Sequence, residues 1–402
     1  MEKTIGSKLK RFIPYINLDY AGYHLFYIAF ALYCVGRSLP NVYWYGLPAV
    51  DYTINLMFLK ILRYMAYLFC GCQIVMNVYR TKKFALYIAT AAVFFMQYIL
   101  CRNSELVTML IVMIAANNAD ARVMIRISAA IKAFVLGTQT ILCVMNIIYD
   151  YVSFGDRERH YLGYIHVTAS AYMMLFLIFE ILYLKKHFTL KDALILFAAN
   201  CFFSGITGTL TSMYYGIPVI LYGMIAGRHP SRELKRPVKA FLYALPFLCF
   251  AATLFVFGIY DKNSEFWNML EKKAFHGRLH IAHDALVNYP PSLLGHHPFW
   301  DGHDLMSRYR GVETQTIIDC SYINIYVYYG IIFTLFLLFL YSTIIWRALK
   351  LNDKTLAGTI AWILLVCLTE MWLFNPTYNI FPFLAMAGLK IRDEKKKIYY
   401  NG

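Results

Sequence analysis

Apolar runs near twenty residues long recur from one end of the chain to the other, with short polar connections between them. Runs of that length match a hydrocarbon core about 30 Å thick. Inside lipid the backbone must satisfy its own hydrogen bonds, which leaves only helices and closed barrels. The runs lack the alternating segments of about ten residues that form a barrel, so the pattern predicts an all-α, polytopic membrane protein.

The pattern predicts about twelve transmembrane helices. One apolar stretch, 193–227, would form a helix of roughly 52 Å at 1.5 Å per residue, which is too long for a single crossing. Gly205, Gly208 and Gly216 interrupt this stretch, so a tight hairpin is predicted near 207–211. The predicted spans are 20–38, 53–78, 84–100, 105–120, 131–149, 163–184, 192–207, 210–227, 240–260, 322–346, 356–374 and 377–390.

Composition agrees with this class, because 60% of the residues are hydrophobic and 15% are charged, against about 45–50% and about 25% in soluble domains. The formal charge of +15 invites a nucleic-acid partner. However, Lys and Arg cluster in alternate connections between the apolar runs, which is the positive-inside pattern. It predicts cytoplasmic termini and argues against nucleic acid. The nine cysteines are scattered without a CxxC pair, so no disulfide framework is predicted.

The longest polar segment runs from Asp261 to Ser321, and the predicted topology places it on the outer face. It divides the chain into nine transmembrane helices (1–260), an extracytoplasmic catalytic loop (261–321), and three further helices with a basic cytoplasmic tail (322–402). Apolar positions over 264–289 recur at near-helical spacing. They predict an amphipathic helix at the outer interface or, equally, a helix that packs to close the loop.

Four stretches fall on the same predicted face: 156–166, 205–209, 272–279, and 318–324 followed by 329–332. The long polar segment contains Gly277-Arg278, then a helical run, and then Leu293-Leu294-Gly295. This order resembles the large outer loop of bacterial O-antigen and capsular polysaccharide polymerases (Wzy-type), relatives of the O-antigen ligases. The remaining resemblances to that family are in Asp319-Cys320-Ser321-Tyr322-Ile323, Gly330-Ile331-Ile332, Leu162-Gly163-Tyr164-x-His166 and Thr207-Gly208-Thr209.

The resemblance implies a GT-C-like membrane glycosyltransferase that polymerises lipid-pyrophosphate-linked oligosaccharide repeat units into capsule, O-antigen or exopolysaccharide. The reaction would take place on the outer face of a bacterial cytoplasmic membrane, without metal or cofactor. The implied partners are a donor and an acceptor oligosaccharide, each linked to a polyprenyl (undecaprenyl) pyrophosphate, together with membrane lipids. Whether a chain-length regulator also binds is left open.

The chemistry of that reaction favours arginine. A pyrophosphate is already a good leaving group, and what helps is positive charge on the phosphates as the glycosidic bond breaks. Arginine is permanently charged and bidentate toward phosphate oxygens. Arg278 and Arg159 are the first candidates for catalysis, and the alternative is that these loop arginines are solvated or contact lipid headgroups. Further candidates for substrate binding are Arg157, Arg308 and Arg310.

The acceptor sugar hydroxyl must lose its proton as it attacks, and Asp319 is the candidate for activating or orienting it. A positioned base typically contributes about 10²–10⁴-fold. The alternative is that Asp319, with Ser321, caps the span that begins at Tyr322. The other predicted substrate-binding residues are His166, Thr207, His280 and Tyr322.

The loop histidines also raise the possibility of a metal site. His280 and His283 lie three residues apart, and the loop also contains His276, His296, His297 and His303. A catalytic zinc site commonly needs three such ligands in one place, and the spacing does not show that these side chains converge. Hydrogen bonds to sugar hydroxyls or local packing are favoured, and no metal is predicted.

Two other functions stay open: an O-antigen-type ligase that moves finished glycan to another acceptor, and a flippase or transporter of lipid-linked oligosaccharides. Transporters usually place their site at mid-membrane between repeated halves, and this chain shows no internal repeat. Charged side chains within spans are expensive and often functional. Glu180 and Glu370 are such side chains, and for both we expect snorkelling to the interface and assign no role.

Overall fold

The computed structural model describes residues 18–39, 52–76, 81–154, 158–185, 187–226, 233–275, 277–298 and 317–389. Thirteen α-helices and one short β-hairpin lie within these ranges. The helices are α1 (Leu18–Ser38), α2 (Tyr52–Met76), α3 (Thr81–Cys101), α4 (Ser104–Ala115), α5 (Ala121–Val144), α6 (Ala169–Leu184), α7 (Leu190–Ile206), α8 (Leu210–Ala226), α9 (Arg236–Gly258), α10 (Glu265–Leu270), α11 (Arg278–Asn288), α12 (Ser321–Lys350) and α13 (Lys354–Val366). Strands β1 (Val152–Phe154) and β2 (Glu158–His160) pair antiparallel between α5 and α6.

Five of these helices are long and apolar enough to cross a membrane: α2, α3, α5, α9 and α12. This confirms a mostly helical protein with several candidate membrane spans. The predicted bounds are less accurate. The fifth predicted span, 131–149, begins too late, because Asp120 accepts a hydrogen bond from the backbone N–H of Arg122 (2.9 Å) and thereby caps α5.

The predicted hairpin within the long apolar stretch 193–227 is confirmed. Helix α7 ends at Ile206 and α8 begins at Leu210. Gly208 adopts a positive φ of 64° in the turn between them, a conformation that glycine adopts without steric cost. At its other end α7 begins with a capping box, in which Thr189 and Asp192 bind each other's backbone N–H groups.

The centre of the protein is built around α6, α12 and α13. Nearly every side chain of α6 is buried, and more than half of the residues of α12 are buried as well. Helices α2 and α3 bury only a minor part of their apolar windows. A helix that is apolar all round belongs in a core or in lipid, so α6 is a core helix, and α2 and α3 present apolar faces outward.

Helix α12 is broken at Gly330, which has φ 80° and ψ 178°. The loop segment 292–297 occupies the break and replaces the lost helical hydrogen bonds. Ile331 N–H donates to Ser292 O (3.0 Å), and His296 N–H donates to Val327 O (3.0 Å). The segments 293–295 and 330–332, both part of the family resemblance, therefore lie against each other.

The predicted amphipathic helix over 264–289 is only partly present. The segment forms α10, then a π-helical turn over Glu271–Phe275, and then α11. Gly277 separates the π turn from α11 and has φ 92°, a left-handed conformation that a continuous helix does not contain. The prediction of one continuous helix was wrong, because periodicity alone did not register this glycine as a break.

The predicted last span, 377–390, is not an α-helix over its described residues 377–389. A 3₁₀ turn forms at Phe381–Ala385, and the rest of the segment is irregular although it is almost entirely buried. Likewise α13 ends at Val366, earlier than the predicted 374. The hydropathy of these stretches reflects burial inside the protein, which an apolar run shares with a lipid-facing helix.

Buried polar side chains from the neighbouring helices satisfy this irregular backbone. Arg347 of α12 donates to Leu384 O (2.9 Å) and Ala385 O (2.8 Å). Lys132 of α5 donates to Tyr378 O. Non-helical backbone at membrane depth is tolerated only where protein groups or water take over its hydrogen bonds, and these side chains do so here.

Candidate functional site

Arg278 is the first residue of α11, and a glycine turn presents it. Gly277, directly before it, holds the left-handed conformation that starts the helix. The carboxylate of Glu271 accepts hydrogen bonds from the backbone N–H groups of Leu279 (3.1 Å) and His280 (3.3 Å). A helix N-terminus carries partial positive charge, so this carboxylate is favourable there and the positive Arg278 side chain is not. Its charge must be balanced from elsewhere in the fold.

Two carboxylates supply that balance. Arg278 Nε lies 2.7 Å from Asp319 Oδ2, and Arg278 Nη1 lies 3.1 Å from Glu370 Oε1. The Glu370 side chain is 3% exposed, whereas Asp319 and Arg278 are 19% and 29% exposed. We call these three residues the Arg278 cluster. One guanidinium thus joins α11, the residues before α12 and the segment after α13.

The N-cap residue of α12 is Cys320, and its side chain makes no capping hydrogen bond. Instead Ser321 ties the start of α12 to the segment that follows α13: its hydroxyl donates to Glu370 O and accepts from the backbone N–H of Leu373 (3.0 Å). These contacts fix the two carboxylates of the Arg278 cluster relative to each other.

The electrostatics of the cluster favour a charged arginine and a carboxyl group that titrates near neutrality. Glu370 lies four residues beyond the end of α13. Burial raises its pKa, the charge of Arg278 lowers it and Asp319 raises it again, with a resulting pKa of about 7. Burial alone would lower the pKa of Arg278, but the two carboxylates raise it above its ordinary value. Protonation of Glu370 therefore leaves one negative charge to balance one positive charge.

Two tyrosines hold the segment that carries Glu370. Tyr172 of α6 lies close enough to the Glu370 carboxylate to lower its pKa, and its ring packs 5.3 Å from that of Trp372. The hydroxyl of Tyr215, in α8, lies 3.0 Å from Thr369 Oγ1. The central helices α6 and α8 therefore contribute to the position of the buried carboxylate.

Arg159 and Thr207, both predicted site residues, are in direct contact. Arg159 lies in β2, and its Nε donates to Thr207 O (2.9 Å). Thr207 is fully buried in the turn between α7 and α8. Beside Arg159, His160 Nδ1 lies 2.7 Å from Asp150 Oδ2. The Arg159–Thr207 hydrogen bond fixes the β-hairpin against the α7–α8 turn.

The α7–α8 turn and the Arg278 cluster lie at the same end of the helix bundle. Tyr215, in the second turn of α8, contacts Thr369 just beyond the end of α13. Further along α8, the Tyr222 hydroxyl donates to Lys354 O at the start of α13 (3.0 Å). The two helices are therefore antiparallel, and the far end of α13 lies beside the beginning of α8.

Two predicted substrate-binding residues have partners within the protein. The Tyr322 side chain is buried, and its hydroxyl donates to Leu364 O (2.9 Å). His166, just before α6, places Nδ1 2.8 Å from Thr168 Oγ1. Tyr322 thus connects α12 to α13, and a binding role for these two residues stays a prediction. Three other predicted binding residues lie outside the described part of the chain: Arg157, Arg308 and Arg310.

The loop histidines face separate partners. His280 is half-exposed, and His283 and His296 lie elsewhere in the loop. The nearest acceptors are Glu271 Oε1 at 2.6 Å for His280 Nδ1, Phe257 O at 2.9 Å for His283 Nδ1 and Pro290 O at 2.6 Å for His296 Nε2. Among the described residues no group of three or more His, Cys, Asp and Glu side chains could hold a metal ion. His276 and His303 are outside those ranges.

Glu370 is the site residue that sequence reasoning missed. It was assigned to snorkelling, yet its side chain is buried next to Arg278. The available signal was its position in an apolar run, where a carboxyl group is expensive unless it has a partner or a function. Naming that partner required the fold, because Arg278 and Glu370 are separated by 92 positions.

A scan against protein-family models, a search of curated proteins and a search of solved structures found no match for this chain.

Proposed function

We propose that this protein is a membrane glycosyltransferase that polymerises lipid-pyrophosphate-linked oligosaccharide repeat units on the outer face of a bacterial cytoplasmic membrane. The Arg278 cluster is the observation that carries the proposal. It combines a fixed guanidinium with two carboxyl groups, and it lies at the same end of the bundle as the Arg159–Thr207 contact. Such a set suits a reaction in which a sugar hydroxyl displaces a pyrophosphate.

In the proposed reaction, an acceptor hydroxyl oxygen attacks the anomeric carbon of the donor sugar. The bond between that carbon and the pyrophosphate oxygen breaks, and the polyprenyl pyrophosphate leaves with the electron pair. Arg278 balances the negative charge that develops on the phosphates, since preorganised positive charge stabilises a transition state more than it does the ground state. The Arg278 side chain is partly exposed.

The two carboxyl groups have different roles in this proposal. Asp319 is partly exposed, and it accepts the proton of the attacking hydroxyl. Glu370 is buried and holds the guanidinium from behind. Because burial raises its pKa to about 7, Glu370 can hold a proton near neutral pH. When protonated, it competes less with the pyrophosphate for the positive charge of Arg278.

We further propose twelve crossings with both termini in the cytoplasm and the 261–321 loop outside. The last crossing would be the irregular segment after α13. Thr377 Oγ1 contacts Arg37 O at the end of α1 (3.3 Å), whereas Gly388 pairs with Asp120 at the start of α5. The hydroxyl of Tyr27, also in α1, accepts a hydrogen bond from the backbone N–H of Asp120 (2.9 Å). Since Tyr27 and Arg37 are about 15 Å apart along the helix, the segment descends through much of the bundle.

Reconstitution tests this function. The purified protein in vesicles, supplied with a polyprenyl-pyrophosphate oligosaccharide, should form products of increasing length. Arg278→Ala should leave single units. Lys272→Ala, which removes a positive charge from an exposed position in the same loop, should still polymerise. Absence of product from the intact protein, or equal product from Arg278→Ala, would count against the proposal.

A flippase or transporter of lipid-linked oligosaccharides is the second candidate, and two observations favour it. Helix α12 is discontinuous at Gly330, and Lys132 forms a buried ion pair with Glu180 (2.5 Å). Discontinuous helices and intramembrane ionisable groups are common in transporters. Cells lacking the protein separate the candidates: loss of a polymerase leaves single units outside, whereas loss of a flippase keeps the units inside.

A further inference from the structure

A groove opens between α8, α9 and α13, at the opposite end of the bundle from the Arg278 cluster. Its volume is about 540 Å³, within the range of about 300–1,000 Å³ typical of small-molecule sites. Apolar side chains from all three helices line it, among them Ile225, Leu242 and Trp362. An apolar groove between membrane helices is open to one abundant class of ligand, the acyl chains of lipids.

A glycine makes the wall of this groove possible. A Cβ atom on Gly358 of α13 would lie 1.9 Å from Tyr222 Oη. With no side chain at that position, the Tyr222 ring packs directly on α13, and its hydroxyl donates to Lys354 O (3.0 Å). The position of the Tyr222 ring therefore requires glycine at position 358, and both residues line the groove.

The rim of the groove is positively charged. Lys235 and Lys354 lie at one end, where α9 and α13 begin, and Glu233 is the single acidic residue of the lining. Glu233 already pairs with Lys239, which is not part of the lining, at 3.5 Å. Lys235 therefore presents a positive charge to an occupant of the groove, next to an apolar surface.

We propose that the groove binds an anionic phospholipid, with an acyl chain between α8, α9 and α13 and the phosphate group at Lys235. Basic pockets between transmembrane helices match anionic lipid headgroups in this way, and a lysine near the membrane surface contributes about a fivefold gain in affinity. A zwitterionic lipid would fit the apolar part but gain less at the rim.

Native mass spectrometry of the purified protein in detergent tests this site. Phosphatidylglycerol and phosphatidylcholine with the same acyl chains would be titrated separately. The intact protein should bind phosphatidylglycerol more tightly. Lys235→Gln should weaken phosphatidylglycerol binding about fivefold and leave phosphatidylcholine binding nearly unchanged. Lys191→Gln, an exposed lysine at the start of α7, is the matched control and should bind like the intact protein.

A second variant tests the apolar part of the groove. Ala361→Phe places a ring between the lining helices and should reduce the binding of both lipids. Thermal unfolding provides a separate readout, because a ligand that binds only the folded state raises the midpoint temperature. Phosphatidylglycerol should raise it for the intact protein more than for Lys235→Gln. Equal affinity for the two lipids, or equal binding by the intact protein, Lys235→Gln and Ala361→Phe, would overturn the proposal.

Discussion

At the residue scale, Arg278 departs from what its local structure favours. A positive side chain in the first turn of a helix opposes the helix dipole. The acidic side chain nearest in sequence, Glu271, accepts hydrogen bonds from backbone N–H groups of that turn. The charge is held instead by Asp319 and Glu370 from distant parts of the chain. A residue that breaks a local rule and is fixed by long-range contacts is a candidate for function.

Replacement of Arg278 by lysine tests whether the guanidinium geometry matters. Nε and Nη1 contact two different carboxylates, and a single ammonium group cannot reproduce that planar fork. We expect Arg278→Lys to lower the initial rate of polymer formation about 10²–10³-fold, the usual effect of losing one preorganised donor. Lys272→Gln, an exposed charge in the same loop, serves as control. Polymerisation by Arg278→Lys at the rate of the control would argue against a catalytic guanidinium.

Replacement of Glu370 by glutamine tests its raised pKa. The pKa is about 7 in the fold against an ordinary 4.5, so between these values the folded state keeps a proton that the unfolded chain has lost. Its contribution to stability is therefore largest below about pH 4.5 and declines as pH rises toward 7. Glu370→Gln, which resembles the protonated form, should match the intact protein at pH 5 and exceed it at pH 8 by up to about 3 kcal/mol.

The measurement is the free energy of unfolding in detergent at several pH values. Glu265→Gln, at an exposed position in α10, is the control and should follow the intact protein throughout. If the difference between Glu370→Gln and the intact protein does not grow between pH 5 and pH 8, then Glu370 does not hold the raised pKa.

Sequence alone reached part of this site. Arg278 and Asp319 were named from the family resemblance and the chemistry of glycosyl transfer from a pyrophosphate, and the fold places them 2.7 Å apart. Thr207 and Arg159 were also named, and they are in contact. Glu370 was not named, because the sequence of an apolar run does not distinguish an acidic side chain that snorkels from one that is paired inside the protein. Pairing is a property of the folded chain.

At the scale of elements, the break in α12 connects the loop segment 292–297 to the helix bundle. Gly330 is close to the backbone of the inserted segment: a Cβ atom there would lie 2.3 Å from Gly295 N and 2.6 Å from Leu293 O. Gln97 of α3 secures the junction, since its side-chain amide donates to Tyr329 O (2.6 Å). Hydropathy predicted this helix but not its break, because an isolated glycine in an apolar run is usually tolerated.

Gly330→Ala should therefore displace the inserted segment. The substitution places a side chain at φ 80°, which costs about 1–3 kcal/mol in strain, and it adds the backbone clash. Hydrogen–deuterium exchange at the N–H of Ile331, which donates to Ser292 O, should become faster. Gly137→Ala in α5 is the matched control: no atom lies within 4 Å of its added Cβ, so exchange and stability should be kept. Unchanged exchange in Gly330→Ala would show that the insertion does not depend on this glycine.

At the scale of the whole molecule, the fold stabilises a buried segment that is not helical. Single-sequence patterns recover helix content and most helix positions, since apolar runs and periodicity are local. They do not recover the final segment, because its hydrogen-bond partners lie far away in sequence. Lys132 is such a partner: it donates to Tyr378 O and forms an ion pair with Glu180 (2.5 Å), which also accepts from Ser128 (2.8 Å).

Removal of Lys132 should therefore destabilise the whole molecule. Lys132→Met leaves the buried Glu180 without its counter-charge and Tyr378 O without its donor, and the loss of one member of a buried pair costs about 3–5 kcal/mol. The free energy of unfolding in detergent measures this, with Lys191→Met at an exposed position as control. The double variant Lys132→Met, Glu180→Gln should recover part of the loss, because the uncompensated charge is gone while the Tyr378 carbonyl still lacks its donor. Full stability of Lys132→Met would mean that the irregular segment is held by packing alone, without help from this lysine.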